Sequence, residues 1–293
     1  MSLDAEQLHR WRGLGSVVWL ALLLAWEGFA PFFHSFASLA ERGRHGLRNF
    51  GIAVANGLVT ALLFVWVWRY VAELAATHQF GILNWLRLPS AVHFVAAILL
   101  FDLWTYFWHR AGHQLPPLWK FHRMHHSDPQ MDVTTSNRFH LVEIGISSVL
   151  RIALIPLLGV TFTEIVVYET LLQFFVQLQH ANVGLPTPIE RGLRLIFVTP
   201  ILHKIHHSQD QPETDSNFAS LFSFWDRIFG TFRLRRDPEN IQLGLAGFDQ
   251  PDFQSWRGLW KTPFREPSIP PDPSSRRDEL RESDTPKAGN GDS

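Results

Sequence analysis

Histidines are the residues of this sequence whose type and spacing point to chemistry. Ten of the 15 histidines lie between residues 109 and 207. Those in groups follow two patterns, His-x-x-x-His at 109–113 and His-x-x-His-His at both 122–126 and 203–207. Residues three and four apart on a helix share one face, so each group directs two or three imidazoles into one volume. Imidazole binds zinc, copper, iron and nickel, so these patterns predict a metal site.

The number of grouped imidazoles indicates more than one metal ion. A single four-coordinate ion cannot use eight of them, whereas two ions lying close together can. The predicted ligands are His109, His113, His122, His125, His126, His203, His206 and His207, with the single histidines His140 and His180 as additions. The other five histidines are interpreted as satisfied polar residues rather than ligands, and they are His9, His34, His45, His78 and His93.

Composition excludes several other kinds of site. The chain of 293 residues has no cysteine, so it has no disulfide, thiolate zinc site, iron–sulfur cluster or cysteine nucleophile. Basic and acidic residues number 26 and 27, and this near-neutral balance argues against a nucleic-acid partner. The sequence also has no glycine-rich phosphate loop, so nicotinamide or flavin is not expected to bind this chain itself.

The elements that must position these histidines are apolar blocks of membrane length. Three blocks, 14–33, 50–68 and 89–108, contain no more than one charged residue each. A bilayer core needs about 20 such residues per helix, and the blocks are too apolar to be amphipathic surface helices. A fourth region, 141–180, is apolar but contains four charged residues, and a break at 159–161 divides it into two helices.

Topology decides whether the histidine groups can meet. The 141–180 region is expected either to span as a tight hairpin or to enter and return without crossing. Both alternatives leave the histidine groups that flank it on one membrane face. The short apolar segment 80–88, with its Trp and Arg, is predicted to lie at the membrane interface.

Charge and composition set the expected orientation and domain limits. Arginines at 42, 44 and 48, and basic residues between 110 and 138, favour a cytoplasmic position for the segments that carry them. The predicted fold is therefore all-α, with multi-pass membrane helices and a histidine-rich helical metal-binding cap on the cytoplasmic face. The expected divisions are an N-terminal tail (1–13), a membrane-embedded domain (14–264) and a disordered C-terminal tail (265–293), the last being rich in Pro, Ser and charge.

The three histidine groups at 109–113, 122–126 and 203–207 are called histidine boxes below. Their order resembles that in the fatty acid hydroxylase and sterol desaturase superfamily of membrane enzymes. The resemblance covers about residues 14 to 233 and extends beyond the boxes. Further residues that match the family pattern are Asp102, Tyr106, Arg110, Asn137, Glu143, Gln179, Asn182, Asn217, Phe218 and the run Trp225–Thr231. Leu141 departs from it, since many members have proline after the preceding histidine.

The resemblance implies a fold, a cofactor and a reaction. It implies a membrane-embedded oxidoreductase in which the ten histidines hold two non-haem irons. O2 would be the co-substrate, and a separate cytochrome or ferredoxin with its reductase would supply electrons. The reaction would hydroxylate or desaturate an unactivated C–H bond of a lipid, such as a sterol or a fatty acyl chain, held against the apolar helices. No catalytic residue beyond the metal ligands is expected.

Carboxylates within the apolar blocks are candidates for supporting roles. Asp102 lies seven residues before His109 on the same helix face. It is predicted either to orient a ligand ring or to form a polar contact with a neighbouring helix. The same two roles are considered for Glu27, Glu143 and Glu169, since placing a carboxylate in a membrane costs free energy.

Two alternatives from other classes compete with the oxygenase. A zinc-dependent membrane hydrolase would use metal-bound water, but the His-Glu-x-x-His signature is absent and the histidines are too many. A non-enzymatic metal or haem carrier needs only one or two axial histidines, or ligands at the middle of the membrane rather than at helix ends.

Overall fold

The computed structural model describes residues 5–268, and within this range the chain is helical. The α-helices are α1 (Ala5–Phe29), α2 (Leu39–Leu63), α3 (Val65–Thr77), α4 (Ile82–Trp85), α5 (Ser90–Gln114), α6 (Pro116–His126), α7 (Leu141–Leu158), α8 (Phe162–His180), α9 (Thr187–Leu193), α10 (Pro200–His206), α11 (Gln211–Thr214), α12 (Phe224–Ile228) and α13 (Trp256–Lys261). Short 3-10 helices lie at Val133–Asn137, Pro238–Asn240 and Thr262–Phe264. Pairing between extended segments of the described residues is confined to isolated bridges, which confirms the all-α prediction.

Three helices are long and apolar enough to cross a bilayer, judged by length and composition. They are α2, α5 and α7, while the apolar part of α1, Gly13–Phe29, is shorter. The predicted block 89–108 corresponds to α5. The block 50–68 is divided at Phe64, where α2 gives way to α3. The number of membrane crossings and the cytoplasmic face remain predictions.

The basic stretch after the first block is helical rather than a loop. Ser38 caps α2 by accepting a hydrogen bond from the Glu41 N–H, so the helix begins eleven residues before the apolar block. Arg42 then lies on α2 and forms an ion pair with the buried Glu27 of α1 at 2.7 Å. Arg42 is therefore part of the helix that continues into the second apolar block.

The predicted break in the region 141–180 is confirmed. α7 ends at Leu158, Gly159 adopts a left-handed conformation (φ 76°), and Thr161 caps α8 with Glu164 in a capping box. A Cβ added at Gly81, which has φ 105°, would lie 2.4 Å from the Gly159 backbone nitrogen, so the segment before α4 packs directly on this turn. The two helices therefore form a hairpin whose open end carries His140 and His180.

The apolar core lies among α3, α5, α7 and α8. Its buried members include Trp68, Phe101, Ile155 and Ile165. This core fixes the hairpin against α5, and so fixes the end of α8 beside the histidines of α5.

The described residues extend into both segments predicted to be tails. α1 begins at Ala5, within the predicted N-terminal tail. Arg265 forms an ion pair with Asp252 at 2.6 Å, and the Ser268 N–H donates to the Gly247 carbonyl at 3.0 Å. Residues 265–268 are therefore held by the domain, and the rest of the predicted disordered tail lies outside the described residues.

Candidate metal centre

Nine histidine side chains converge where α5, α6, α8 and α10 meet. They form two groups, and within each group the ligand nitrogens lie within 4.8 Å of one another. The first group is His109, His113, His122, His126 and His206. The second group is His125, His180, His203 and His207. The sequence predicted all nine as ligands, and the structure brings them together.

Local sequence explains how short helices direct these rings inward. His109 and His113 lie one turn apart near the end of α5. Pro116 occupies the first turn of α6, where its missing N–H costs nothing, so a new helix begins immediately. Thr199 and Pro200 begin α10 in the same way, with the Thr199 hydroxyl as the cap. Tight helix starts thus place both His-x-x-His-His boxes against α5 and α8.

Hydrogen bonds from the ring Nδ1 atoms orient four of the nine rings. The acceptors are the Phe218 carbonyl for His109 (2.8 Å), Glu143 Oε1 for His122 (2.7 Å), the Val176 carbonyl for His180 (2.7 Å) and the Ser216 carbonyl for His206 (2.7 Å). A ring that donates through Nδ1 keeps the lone pair on Nε2, which is the usual arrangement of a metal-ligating histidine. The Nε2 atoms of these rings are thereby available as ligands.

The contact between His109 and His206 tests whether a metal fits this site. Their Nε2 atoms lie 3.0 Å apart, although both rings already donate through Nδ1 to carbonyls, which accept only. Burial lowers the pKa of His206 to about 3, so this ring does not carry a second proton near neutral pH. Two lone pairs then face each other, and a bound cation is the partner that satisfies both. Imidazole donors suit iron, zinc, copper or nickel.

Orphaned ring nitrogens elsewhere in the cluster agree with this test. Neither ring nitrogen of His126 or of His207 has a hydrogen-bond partner among the described residues, although these atoms are buried. Burial and the neighbouring imidazoles lower the pKa of His125, His126 and His207 well below the ordinary value. These rings are therefore neutral, which is the form that binds metal.

His140 does not join either group, and here the prediction differs from the structure. Its Nδ1 accepts the Val142 N–H at 3.2 Å, which makes it the cap of α7. Its ring packs against Phe121 and Trp260, away from the other imidazoles. A histidine immediately before a long helix is well placed to cap it, and the sequence spacing did not distinguish capping from ligation.

Asp102 organises a loop rather than a ligand ring. Its carboxylate accepts hydrogen bonds from the Phe222 N–H (3.0 Å), Trp225 Nε1 (2.9 Å) and the Tyr168 hydroxyl (3.2 Å). Asp226 accepts the Phe218 N–H at 2.7 Å from the other side of the same loop. Together they hold the segment whose Phe218 carbonyl orients His109. Asp102 thus acts on the histidines only through the backbone.

Glu143 supports the centre directly, through the 2.7 Å hydrogen bond from His122. The sequence had included it among the intramembrane carboxylates without assigning a partner. The carbonyl acceptors had no sequence signal, because every residue carries a carbonyl.

A buried polar network missed by the sequence lies behind the second box. His45 Nε2 contacts Asp128 at 2.8 Å, and Arg138 Nη1 lies 3.2 Å from the same carboxylate. Burial alone would raise the pKa of Asp128, but these two cations hold it well below the usual range. His45 and Asn49 are four residues apart on α2 and both buried, a polar stripe that could have revealed the network.

A cavity of about 350 Å³ opens beside the histidines and runs between the helices. Members of both groups, among them His109, His122 and His180, line one end. Its walls continue along α7 and α8 with side chains that are mainly apolar, such as Ile144, Leu172 and Val176, but also with Arg151, Glu169 and several hydroxyls.

Residues 94–231 match the family model described as fatty acid hydroxylase. The match contains all the histidine boxes and confirms the resemblance seen in the motifs. Ornithine lipid hydroxylase OlsE of Rhizobium tropici is 31% identical over 159 residues, which are 54% of this chain and 47% of that protein. Alkylglycerol monooxygenase of Homo sapiens is 28% identical over 182 residues, 57% of this chain and 38% of that protein.

Cholesterol 25-hydroxylase of Homo sapiens is a further relative, 24% identical over 177 residues, 54% of this chain and 61% of that protein. The matched region thus spans about half or less of the first two relatives. No solved structure matches the chain.

Proposed function

We propose that this protein is an integral-membrane lipid hydroxylase that uses O2 and two non-haem irons. The observation that carries the proposal is the placement of two imidazole groups at one end of a mainly apolar cavity. Hydroxylation is favoured over desaturation because the relatives named above are hydroxylases and a monooxygenase of lipids.

Each histidine group would hold one iron. The five imidazoles of the first group and the four of the second are the proposed ligands, and His140 is left out. Iron held there would supply the redox chemistry that activates O2, which redox-inert zinc does not offer. The electrons would come from a separate cytochrome or ferredoxin with its reductase.

The chain's own residues position the substrate and the rings. The apolar walls of α7 and α8 would hold a lipid chain with one C–H bond facing the histidines and would exclude bulk water. Phe139 stacks on His125 with the ring centres 4.2 Å apart, and so shields one face of the second group. Glu143 fixes the tautomer of His122.

The proposed setting is a multi-pass membrane domain over residues 14–264. α2, α5 and α7 would cross the bilayer, and the basic residues near the histidine boxes favour a cytoplasmic position for the metal centre. The helices α10 to α13 are short and are not proposed to cross the bilayer.

The test combines metal analysis with labelled oxygen. The purified full-length chain, expressed in iron-replete cells, is expected to carry two irons. Lipid extracts from cells with and without the gene, grown under ¹⁸O₂, are expected to differ by a lipid that contains the label. The His206→Ala variant should lose both the iron and the labelled lipid. One zinc and no iron, or a lipid that loses two hydrogens without gaining label, would contradict lipid hydroxylation by iron.

A further inference from the structure

The hairpin carries an ion pair that the metal centre does not use. Arg151 of α7 contacts Glu169 of α8 through Nη1 and Oε1. Arg151 lies inside the candidate span Leu141–Leu158, and its side chain is only 12% exposed. Charged groups at such depth are costly and generally serve a function.

The pair is incompletely satisfied by the protein. The Nε atom of Arg151 is buried and has no hydrogen-bond partner among residues 5–268. The guanidinium also lies over the Trp68 ring, 5.4 Å from its centre, in a cation–π contact. Oε1 of Glu169 accepts from Arg151, so Oε2 remains as an acceptor. Arg151 thus keeps an unpaired donor beside an unpaired acceptor of Glu169.

Both residues line the same cavity as the histidines. Eight residues of α7 separate Arg151 from Glu143, a rise of about 12 Å, and eleven residues of α8 separate Glu169 from His180, a rise of about 16 Å. Between the two ends the lining is mainly apolar, with Ile144 and Leu172 among its members. The cavity therefore has imidazoles at one end and an ion pair farther along.

We propose that Arg151 and Glu169 recognise a neutral polar group, an amide or a hydroxyl, carried by the lipid substrate at a distance from the oxidised carbon. Arg151 donates to its oxygen, and Glu169 accepts its N–H or O–H. The pair has no net charge, so an anionic group would meet the carboxylate and a cationic group would meet the guanidinium. Recognition at this depth fixes how far the lipid chain extends along the cavity, and thereby selects which of its carbons faces the histidines. This inference rests on the proposed function.

The test measures probe binding rather than turnover. Full-length protein in micelles is mixed with equal amounts of hexadecane, hexadecanamide, hexadecanoate and hexadecylamine, and bound species are counted by native mass spectrometry. The wild type is expected to favour hexadecanamide over hexadecane by about tenfold or more, since the alkane leaves the buried donor unpaired. The double variant Arg151→Met, Glu169→Leu should lose this preference while it still binds hexadecane.

Single variants distinguish recognition from a structural role. Glu169→Gln leaves a lone cation and should shift the preference to hexadecanoate, whereas Arg151→Gln should shift it to hexadecylamine. Arg69→Met is the matched control, because Arg69 forms an exposed ion pair with Glu73 on α3. This control should bind all four probes as the wild type does.

The outcomes separate this inference from the proposed function. A wild type without amide preference, or charge variants that keep the wild-type order, would overturn the role of the pair. If the variants fail to fold, Arg151→Lys keeps the charge but removes the Nε donor, and should lower the amide preference alone; an unchanged preference would also overturn it. A protein that binds the amide but holds no iron would instead contradict only the proposed reaction.

Discussion

His122 donates a 2.7 Å hydrogen bond from Nδ1 to Oε1 of Glu143, which joins the second histidine box to the first turn of α7. This contact orients the His122 ring and makes its Nε2 a stronger ligand. It also couples the metal centre to the cavity, because Glu143 lines the cavity on the same helix as Arg151.

Removal of this carboxylate should weaken metal binding. Glu143→Ala is expected to lower iron affinity by about 10- to 100-fold, the usual effect of losing such a partner. Glu143→Gln keeps an acceptor for Nδ1 and should lose less. Iron per chain is measured after dialysis against a graded chelator. Glu73→Gln, at an exposed site on α3, is the control. Equal iron retention in Glu143→Ala and the wild type would contradict this role.

His180 and His140, the two histidines outside the boxes, should differ in their effect on the iron content. His180→Ala removes a member of the second group and is expected to reduce the iron content from two toward one. His140→Ala removes only the cap of α7 and should keep both irons, at a stability cost of about 0.5–2 kcal/mol. Metal analysis with thermal unfolding in micelles gives both quantities. Loss of iron from His140→Ala would show that the ligand set is drawn wrongly.

Asp102 should matter for stability more than for metal chemistry. Asp102→Ala leaves the Phe222 N–H, Trp225 Nε1 and the Tyr168 hydroxyl without their acceptor, and each buried orphan costs about 1–3 kcal/mol. The thermal midpoint should therefore fall, with iron lost only as the loop that orients His109 loosens. Asp102→Asn keeps one acceptor and should show a smaller fall. An unchanged midpoint in Asp102→Ala would argue against this account.

Iron retention should be insensitive to pH over the range in which ordinary histidines titrate. Burial lowers the pKa of His206 to about 3 and that of His203 well below its ordinary value. A histidine of ordinary pKa, about 6.5, exchanges its metal for a proton as the pH falls through that value. These buried rings stay neutral there, so iron should be retained from about pH 8 to below pH 6. A synthetic peptide of residues 200–210 is the reference, and a matching loss of metal from both would contradict the prediction.

The sequence predicted those features that have a periodic or positional signal. The histidine spacing predicted eight side chains that the structure brings together, and Gly159 marked the turn of the hairpin. The sequence did not predict the division of the block 50–68 at Phe64, because the residues on both sides of Phe64 are equally apolar. The pairing of His45 with Asp128 depends on a contact 83 residues apart, and no local pattern specifies such a contact.

The cavity itself gives the last prediction, since a bulky side chain should block the lipid without disturbing the irons. Ser147 lines the cavity on α7, between Glu143 and Arg151. Ser147→Trp is expected to keep two irons, while its incorporation of labelled oxygen should fall by about tenfold or more. The reason is that the bulky side chain overpacks the cavity and excludes the lipid. Val149→Trp is the matched control on the same helix, where the native side chain is 54% exposed, and it should retain activity. Full activity in Ser147→Trp would mean that the lipid reaches the histidines by another route.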